Sequence, residues 1–188
     1  MGKLISQIVV SLDGYFAGRK GSLDWHRIDD GYNDYAAGLL QSAGAVLFGR
    51  VTYELLAGYW PTDAAASNDR RIADSLNRLP KFVVSRTLNK PQWQHTEVVG
   101  DAADEELAKL KNRFELPLVI LGSGSLAADL LRRGYVDELH LMVNPVVVGE
   151  GAAFFPEQAG NTRRNFQLLE ARSFASGNVL LRYNTSSS

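Results

Sequence analysis

Short apolar runs rich in Val, Ile and Leu, such as AVLF and LPLVIL, recur along this chain, and segments with helical spacing separate them. A continuous apolar run has no polar face to offer water, so it suits a strand buried on both sides of a parallel sheet. Strands that alternate with helices imply right-handed βαβ crossovers. The pattern predicts strands over 3–12, 44–48, 81–85, 96–99, 117–121 and 137–144, then a pair at 164–171 and 178–184. It predicts helices over 31–42, 51–57, 68–78, 102–114 and 124–133. No helix separates the last two strands, and the Ala-Ser-Gly of FASGNV signals a hairpin between them. The expected fold is therefore α/β: a mostly parallel central sheet with helices on both faces, finishing with an antiparallel C-terminal strand. Residues 1–184 should form one domain, and 185–188, the end of the polar NTSSS tail, should be loose.

Composition narrows the function classes. A net charge of −1 with no basic block argues against a nucleic-acid partner. The absence of cysteine excludes disulfides, thiolate metal sites and cysteine nucleophiles together, and fits a reducing compartment. The N-terminal MGKLISQIVVSLDG, with Ser6 and Gln7 interrupting its apolar run, reads as a first strand and not as a signal peptide. No segment approaches the ~20 apolar residues of a membrane helix. The expectation is a cytoplasmic protein with no membrane partner.

In open α/β sheets the ligand sits beyond the carboxyl ends of the strands. After 44–48 comes Gly49-Arg50-Val51-Thr52, a glycine for close approach followed by Arg and Thr at a helix start. The free N–H groups, the helix dipole and a guanidinium all favour an anion there. After 81–85 comes Ser85-Arg86-Thr87, and after 117–121 comes Gly122-Ser123-Gly124-Ser125. Three strand ends with anion-ready chemistry point to one shared ligand, and two arginines suggest a dinucleotide with an extra 2′-phosphate. The third stretch satisfies G-x-G-x-x-A between strand and helix. A Rossmann unit, however, needs an acid at the end of the next strand. That strand, DELHLMVN, carries its acids at its start and ends in Asn144-Pro145.

The combination of IVVSLDGYFA, FGRVTYE, KFVVSRTL, VILGSGSLAADLL and VDELHLMVNPVVVGEGAAFF resembles the dihydrofolate-reductase-like superfamily. It is most similar to the reductase (C-terminal) domain of the bifunctional riboflavin-biosynthesis deaminase–reductase, in stand-alone form. The resemblance spans about residues 3 to 184, with the motifs in family order. It implies a largely parallel sheet of about eight strands with an antiparallel C-terminal strand, and NADPH lying across the three strand ends. It implies that Gly49, Arg50 and Thr52 meet the cofactor phosphates and that Ser85 and Arg86 meet the adenosine 2′-phosphate. Gly122, Ser123, Gly124, Ser125 and Leu126 would wrap the pyrophosphate, while Ser11, Asp13 and Gly14 would flank the nicotinamide. It also implies a homodimer through the C-terminal strands and the 145–156 segment. No deaminase segment lies upstream, so a role in riboflavin synthesis would call for a separate deaminase.

Hydride reduction of a C=N or C=O bond needs a proton for the neighbouring atom. Dihydrofolate reductases use a carboxylate on the first helix. In WHRIDDGYND, counting back from Gly49-Arg50 lands near Asn33 or Asp34, whereas counting forward from Trp25 lands near Asp30. Asp30 and Asp34 are the candidate proton donors, with helix capping the competing role for Asp29 or Asp30. Trp25, His26 and Tyr53 are candidates to touch a flat heterocycle. The three histidines are not spaced as metal ligands, and neither G-x-S-x-G nor a Walker lysine is present, so no metal, hydrolase or triphosphatase chemistry is expected. The expected activity is NADPH-dependent reduction of a pterin-like or ribosylaminopyrimidine-like substrate. The alternatives are a catalytically silent NADPH-binding sensor and, more weakly, a protein-interaction domain.

Overall fold

The computed structural model describes residues 2–100, 104–155 and 163–185. Its strands in chain order are β1 (Leu4–Ser11), β2 (Tyr15–Ala17), β3 (Ala45–Gly49), β4 (Lys81–Val84), β5 (Thr96–Val99), β6 (Leu118–Leu121), β7 (Glu138–Asn144), β8 (Ala152–Ala153), β9 (Gln167–Ser173) and β10 (Val179–Asn184). The helices are α1 (Asp30–Gln41), α2 (Arg50–Ala57), α3 (Asp63–Asn68), α4 (Arg70–Arg78), α5 (Asp104–Asn112) and α6 (Gly124–Arg132). Eight strands form one sheet in the order β5-β4-β3-β6-β1-β7-β10-β9. The six from β5 to β7 run parallel, and the central β3 and β6 are the unbroken apolar runs that predict such a sheet. β10 is antiparallel to both neighbours, so the predicted hairpin forms, and its first arm β9 becomes the sheet edge. Gly177, at φ +87°, makes the tight turn between them.

Side chains alternate between two cores. Ile5, Val46, Phe48, Val83 and Val119 pack under α1, α2 and α4; Leu4, Ile8, Leu47, Phe82 and Ile120 pack under α5 and α6. Beneath α1 the first face carries a polar network. Tyr35 Oη meets His140 Nδ1 at 2.8 Å, while Glu138 takes contacts from Lys3 at 2.8 Å, Arg182 at 3.2 Å and His140 at 3.3 Å. Burial pushes the Glu138 carboxyl up, but these hydrogen bonds overcome it and hold the group at about 2. Burial also lowers the His140 pKa, so its imidazole is neutral.

Three features differ from the sequence expectation. The region predicted as one helix over 68–78 contains a break: α3 precedes it, and Asp69 caps α4 by accepting from the Arg71 and Ile72 amides. The short strands β2 and β8 pair as a separate antiparallel ribbon. The tail is ordered further than expected, because Thr185 is buried, donating to the Val136 carbonyl. Residues 186–188 of that tail, and 101–103 at the start of the helix predicted over 102–114, lie outside the described residues.

Candidate functional site

The carboxyl ends of β3, β6, β1 and β7 stand side by side and bring the anion-ready turns to one edge. At the centre, two helix starts are laced together. The Gly49 amide, at the start of α2, donates to Ser123 Oγ at 2.9 Å, and the Ser123 amide donates to Thr52 Oγ1 at 3.0 Å. Ser123 is held at φ 53°, a left-handed conformation that costs a non-glycine residue about 1 kcal/mol or more. Its hydroxyl is committed to Gly49, so α6 begins without a side-chain cap. The first amide to bond back is that of Ala127, to the Ser123 carbonyl at 2.9 Å. The amides of Gly124, Ser125 and Leu126 therefore form the open, positive end of α6. Gly122 turns at φ +61°, and a Cβ there would sit 3.3 Å from Thr52, so the turn is close to its packing limit.

The outer cofactor candidates fall around this clasp. Ser85 ends β4 and accepts from the Thr87 and Leu88 amides at 3.1 and 3.0 Å, an ST turn that directs the chain outward. Arg86 is exposed on that turn, with no ion-pair partner among the described residues. Arg50 is exposed too and pairs with Glu54 at 2.7 Å. Both guanidiniums are free to meet an anion, since a surface i,i+4 pair is worth only about 0.3–0.5 kcal/mol. The donor set (three first-turn amides, two reachable arginines and glycines at the close approaches) fits a phosphorylated dinucleotide such as NADPH.

The first loop is built for order. Ser11 Oγ donates to Asp13 at 2.6 Å and accepts from the Tyr15 amide at 3.0 Å. Asp13 accepts in turn from the Val148 and Gly149 amides at 3.1 and 2.8 Å. The Ser11 hydroxyl and these amides hold the Asp13 carboxyl at about 2. Gly14, at φ +83°, closes the turn, and its carbonyl accepts from the Phe154 amide. Asp13 thus clamps the β1 loop to the β7 loop. The following residue pair reaches α6: a Cβ on Gly124 would lie 2.4 Å from the Phe16 ring, so only glycine lets β2 pack there.

The first helix places its residues differently from the sequence expectation. Asp29 caps α1, accepting from the Tyr32 amide at 2.8 Å and also from the Ser176 amide at 2.7 Å. Asp30 and Asp34, one turn apart, stand exposed on the solvent face, and Asp34 pairs with Arg71 at 2.7 Å. Both carboxylates thus lie on the exposed side of α1. Asn33 shares its face with the buried Ala37 and Leu40. Tyr53 lies inside the fold. Its ring is 2% exposed beside Phe48 and Trp93, and its hydroxyl accepts from the Trp93 amide, so it is core.

Trp25 and His26 pack on each other, ring centroids 4.4 Å apart and edge to face. The peptide of Arg27 is held from both sides: Asn144 Oδ1 accepts its amide at 2.7 Å, and Asn178 Nδ2 donates to its carbonyl at 2.6 Å. His26 Nε2, Asn144 Nδ2 and Asn178 Oδ1 are buried there without a partner, and burial lowers the His26 pKa. Asn144 and Asn178 escaped the sequence reading because only the fold joins them to Arg27. The Asn-Pro ending of β7 was the available signal.

A model of the RibD C-terminal domain matches residues 2–180. The chain belongs to the RibD C-terminal domain family. Among named relatives, the uncharacterized protein YyaP of Bacillus subtilis strain 168 is 30% identical over 183 residues, covering 96% of this chain and 94% of its own. Solved structures share the fold. A putative riboflavin biosynthesis protein from Shewanella sp. PV-4 superposes with a TM-score of 0.73 at 20% identity, covering all of both chains. A pyrimidine reductase-like protein from Corynebacterium diphtheriae gives 0.68 at 15% identity, over all of this chain and 93% of its own. Acinetobacter baumannii RibD gives 0.70 at 17%, with this chain spanning 59% of it. Family membership accords with the sheet order and with glycine-rich turns at its carboxyl edge. No helix among the described residues is long and apolar enough to cross a membrane.

Proposed function

We propose that this RibD-type domain is an NADPH-dependent reductase that transfers hydride to a C=N or C=O carbon of a heterocyclic substrate. The observation that carries the reading is the open N-terminus of α6, laced to α2 and flanked by Arg50 and Arg86. Bound NADPH supplies the hydride. Gly122, Ser123, Gly124, Ser125 and Leu126 hold its pyrophosphate, Gly49, Arg50 and Thr52 contribute at the second helix start, and Ser85 and Arg86 select the 2′-phosphate. Ser11 and Gly14 shape the loop beside the nicotinamide, while Asp13 acts through the loop clamp and not as a ligand. The protein aligns the two reactants and excludes water, and these effects supply much of such a barrier reduction. The proton for the neighbouring atom of the substrate comes from water.

The exposed Leu168 and Leu169 of edge strand β9, with Val147 and Phe155, support a homodimer through the C-terminal strands. Residue 156 of the proposed 145–156 contact lies outside the described residues. Analytical ultracentrifugation giving a monomer at tens of micromolar, roughly the range for a weak interface, would remove the dimer. The reductase reading is tested by NADPH oxidation against a panel of pterins and pyrimidines. Turnover supports it; NADPH binding without turnover on any of them supports the silent-sensor alternative.

A further inference from the structure

We infer that the turn between β9 and β10 is a latch that sets the position of residues 26–29, which makes Asn178 and Asp29 positioning residues for the reaction. The inference rests on the reductase reading and deepens it. Residues 26–29 lead from Trp25 into α1, and the Arg27 amide donates to Asn144, the last residue of β7 and the register partner of Ser11. The segment therefore stands at the carboxyl edge of the sheet. Residues 174–178 of the turn grip it and the start of α1 together. Asn178 Nδ2 donates to the Arg27 carbonyl at 2.6 Å, and the Ser176 amide donates to Asp29 Oδ2 at 2.7 Å. The Ser176 carbonyl accepts from Arg27 Nη1 at 3.4 Å. Phe174 closes on α1, where a Cβ on Gly31 would lie 2.8 Å from its ring, and the Arg172 guanidinium stacks 4.9 Å from that ring's centroid.

The two amide side chains mark the latch as a device for position. Asn144 and Asn178 are both 0% exposed, yet each spends one side-chain atom on the Arg27 peptide and leaves the other, Asn144 Nδ2 or Asn178 Oδ1, unpartnered among the described residues. A buried donor or acceptor without a partner costs free energy, and an apolar side chain of the same shape avoids that cost. The pair is therefore a poor way to stabilise the fold and a good way to fix one peptide, because directional bonds to its N–H and its C=O, one from β7 and one from the turn, set its orientation. Asp29 is used twice as well: Oδ1 caps α1 by accepting from the Tyr32 amide, while Oδ2 reaches the turn. Trp25 and His26, which adjoin the gripped peptide, take their places from it. Through them the hairpin acts on the substrate without touching it.

The test uses the full chain and two substitutions that spare the buried volume and the helix cap. Asn178→Leu keeps the side chain's size and removes the grip on Arg27. Asp29→Asn keeps an oxygen for the Tyr32 amide, since Asn caps as well as Asp, and removes the acceptor for Ser176. Unchanged circular dichroism confirms both folds. Hydrogen exchange read by mass spectrometry, with and without NADPH, should show residues 26–29 exchanging about tenfold faster in each variant, while the urea midpoint of Asn178→Leu equals or exceeds that of the parent chain. For a pterin or pyrimidine that turns over, KM should rise several-fold in both variants with the NADPH dissociation constant unchanged. Unchanged exchange over 26–29 overturns the inference. So does faster exchange accompanied by a lower urea midpoint in Asn178→Leu, which marks a purely structural role, and so does an unchanged KM or an equal loss of NADPH affinity. Failure of NADPH to bind or to be oxidised would instead remove the reductase reading, and the exchange and urea measurements would still decide the latch.

Discussion

Ser123 serves the site through its backbone and side chain at once, accepting from Gly49 and donating to Thr52. Ser123→Ala should cost about 1 kcal/mol in denaturant unfolding, the worth of one net hydrogen bond, and should weaken NADPH several-fold by loosening both helix starts. Arg86→Ala should reduce the preference for NADPH over NADH about tenfold or more, read from the two dissociation constants, while leaving stability unchanged because Arg86 is exposed. Asp13 gives a pH prediction with a definite sign. Its folded pKa, about 2, lies below the ordinary 3.8, so the clamp is whole above 3.8 and is lost as pH falls toward 2. Amide exchange at Val148 and Gly149 should quicken over that window, and Asp13→Asn should show the same quickening at neutral pH. At this scale the sequence was readable where a residue's role lies in its backbone, as at Gly49, Gly122 and Ser123. It was less readable where position depends on helical phase. One residue rotates a side chain by about 100°, which separates Asn33, on the face of the buried Ala37 and Leu40, from the solvent-facing Asp34.

Among the elements, the contact between β2 and α6 is the most exacting. A methyl group on Gly124 would enter the Phe16 ring, so Gly124→Ala should destabilise by about 1–3 kcal/mol. Trimming Phe16 to Ala in the same chain should recover part of that loss. Additive effects in the double variant, measured by urea unfolding, would show that the two residues do not touch. The ribbon of β2 and β8 was not legible in the sequence, because strands of three and two residues are too short to carry a period. The central parallel strands β3 and β6 were legible because burial on both faces writes itself as an unbroken apolar run. The break between α3 and α4 follows from Asp69, whose side chain prefers capping amides to continuing a helix.

Taken whole, the molecule places its glycine-rich turns at the carboxyl ends of the strands and a buried ion network at the start of β7. Glu138, in that network, has a folded pKa of about 2 against 4.5 when free, so its stabilisation is present above 4.5 and disappears as pH falls toward 2. The neutral, buried His140 acts in the same direction, since the unfolded chain takes up its proton first as pH drops. Acid should therefore unfold the protein with a loss on the order of 3 kcal/mol from Glu138, and Glu138→Gln should flatten that limb of the stability curve. Element order and the hairpin could be read from the chain, but the sheet order could not, since sequence does not say that β6 inserts between β3 and β1. That insertion is what brings Gly122 and Ser123 against Gly49 and Thr52. The central claim, a clasp for a 2′-phosphorylated dinucleotide, is tested most directly by fluorescence titration of the purified protein with NADPH and NADH. The account predicts an NADPH dissociation constant of about 10 µM or below with NADH at least ~10-fold weaker; no saturable NADPH binding up to ~1 mM, or equal affinity for the two, would contradict it.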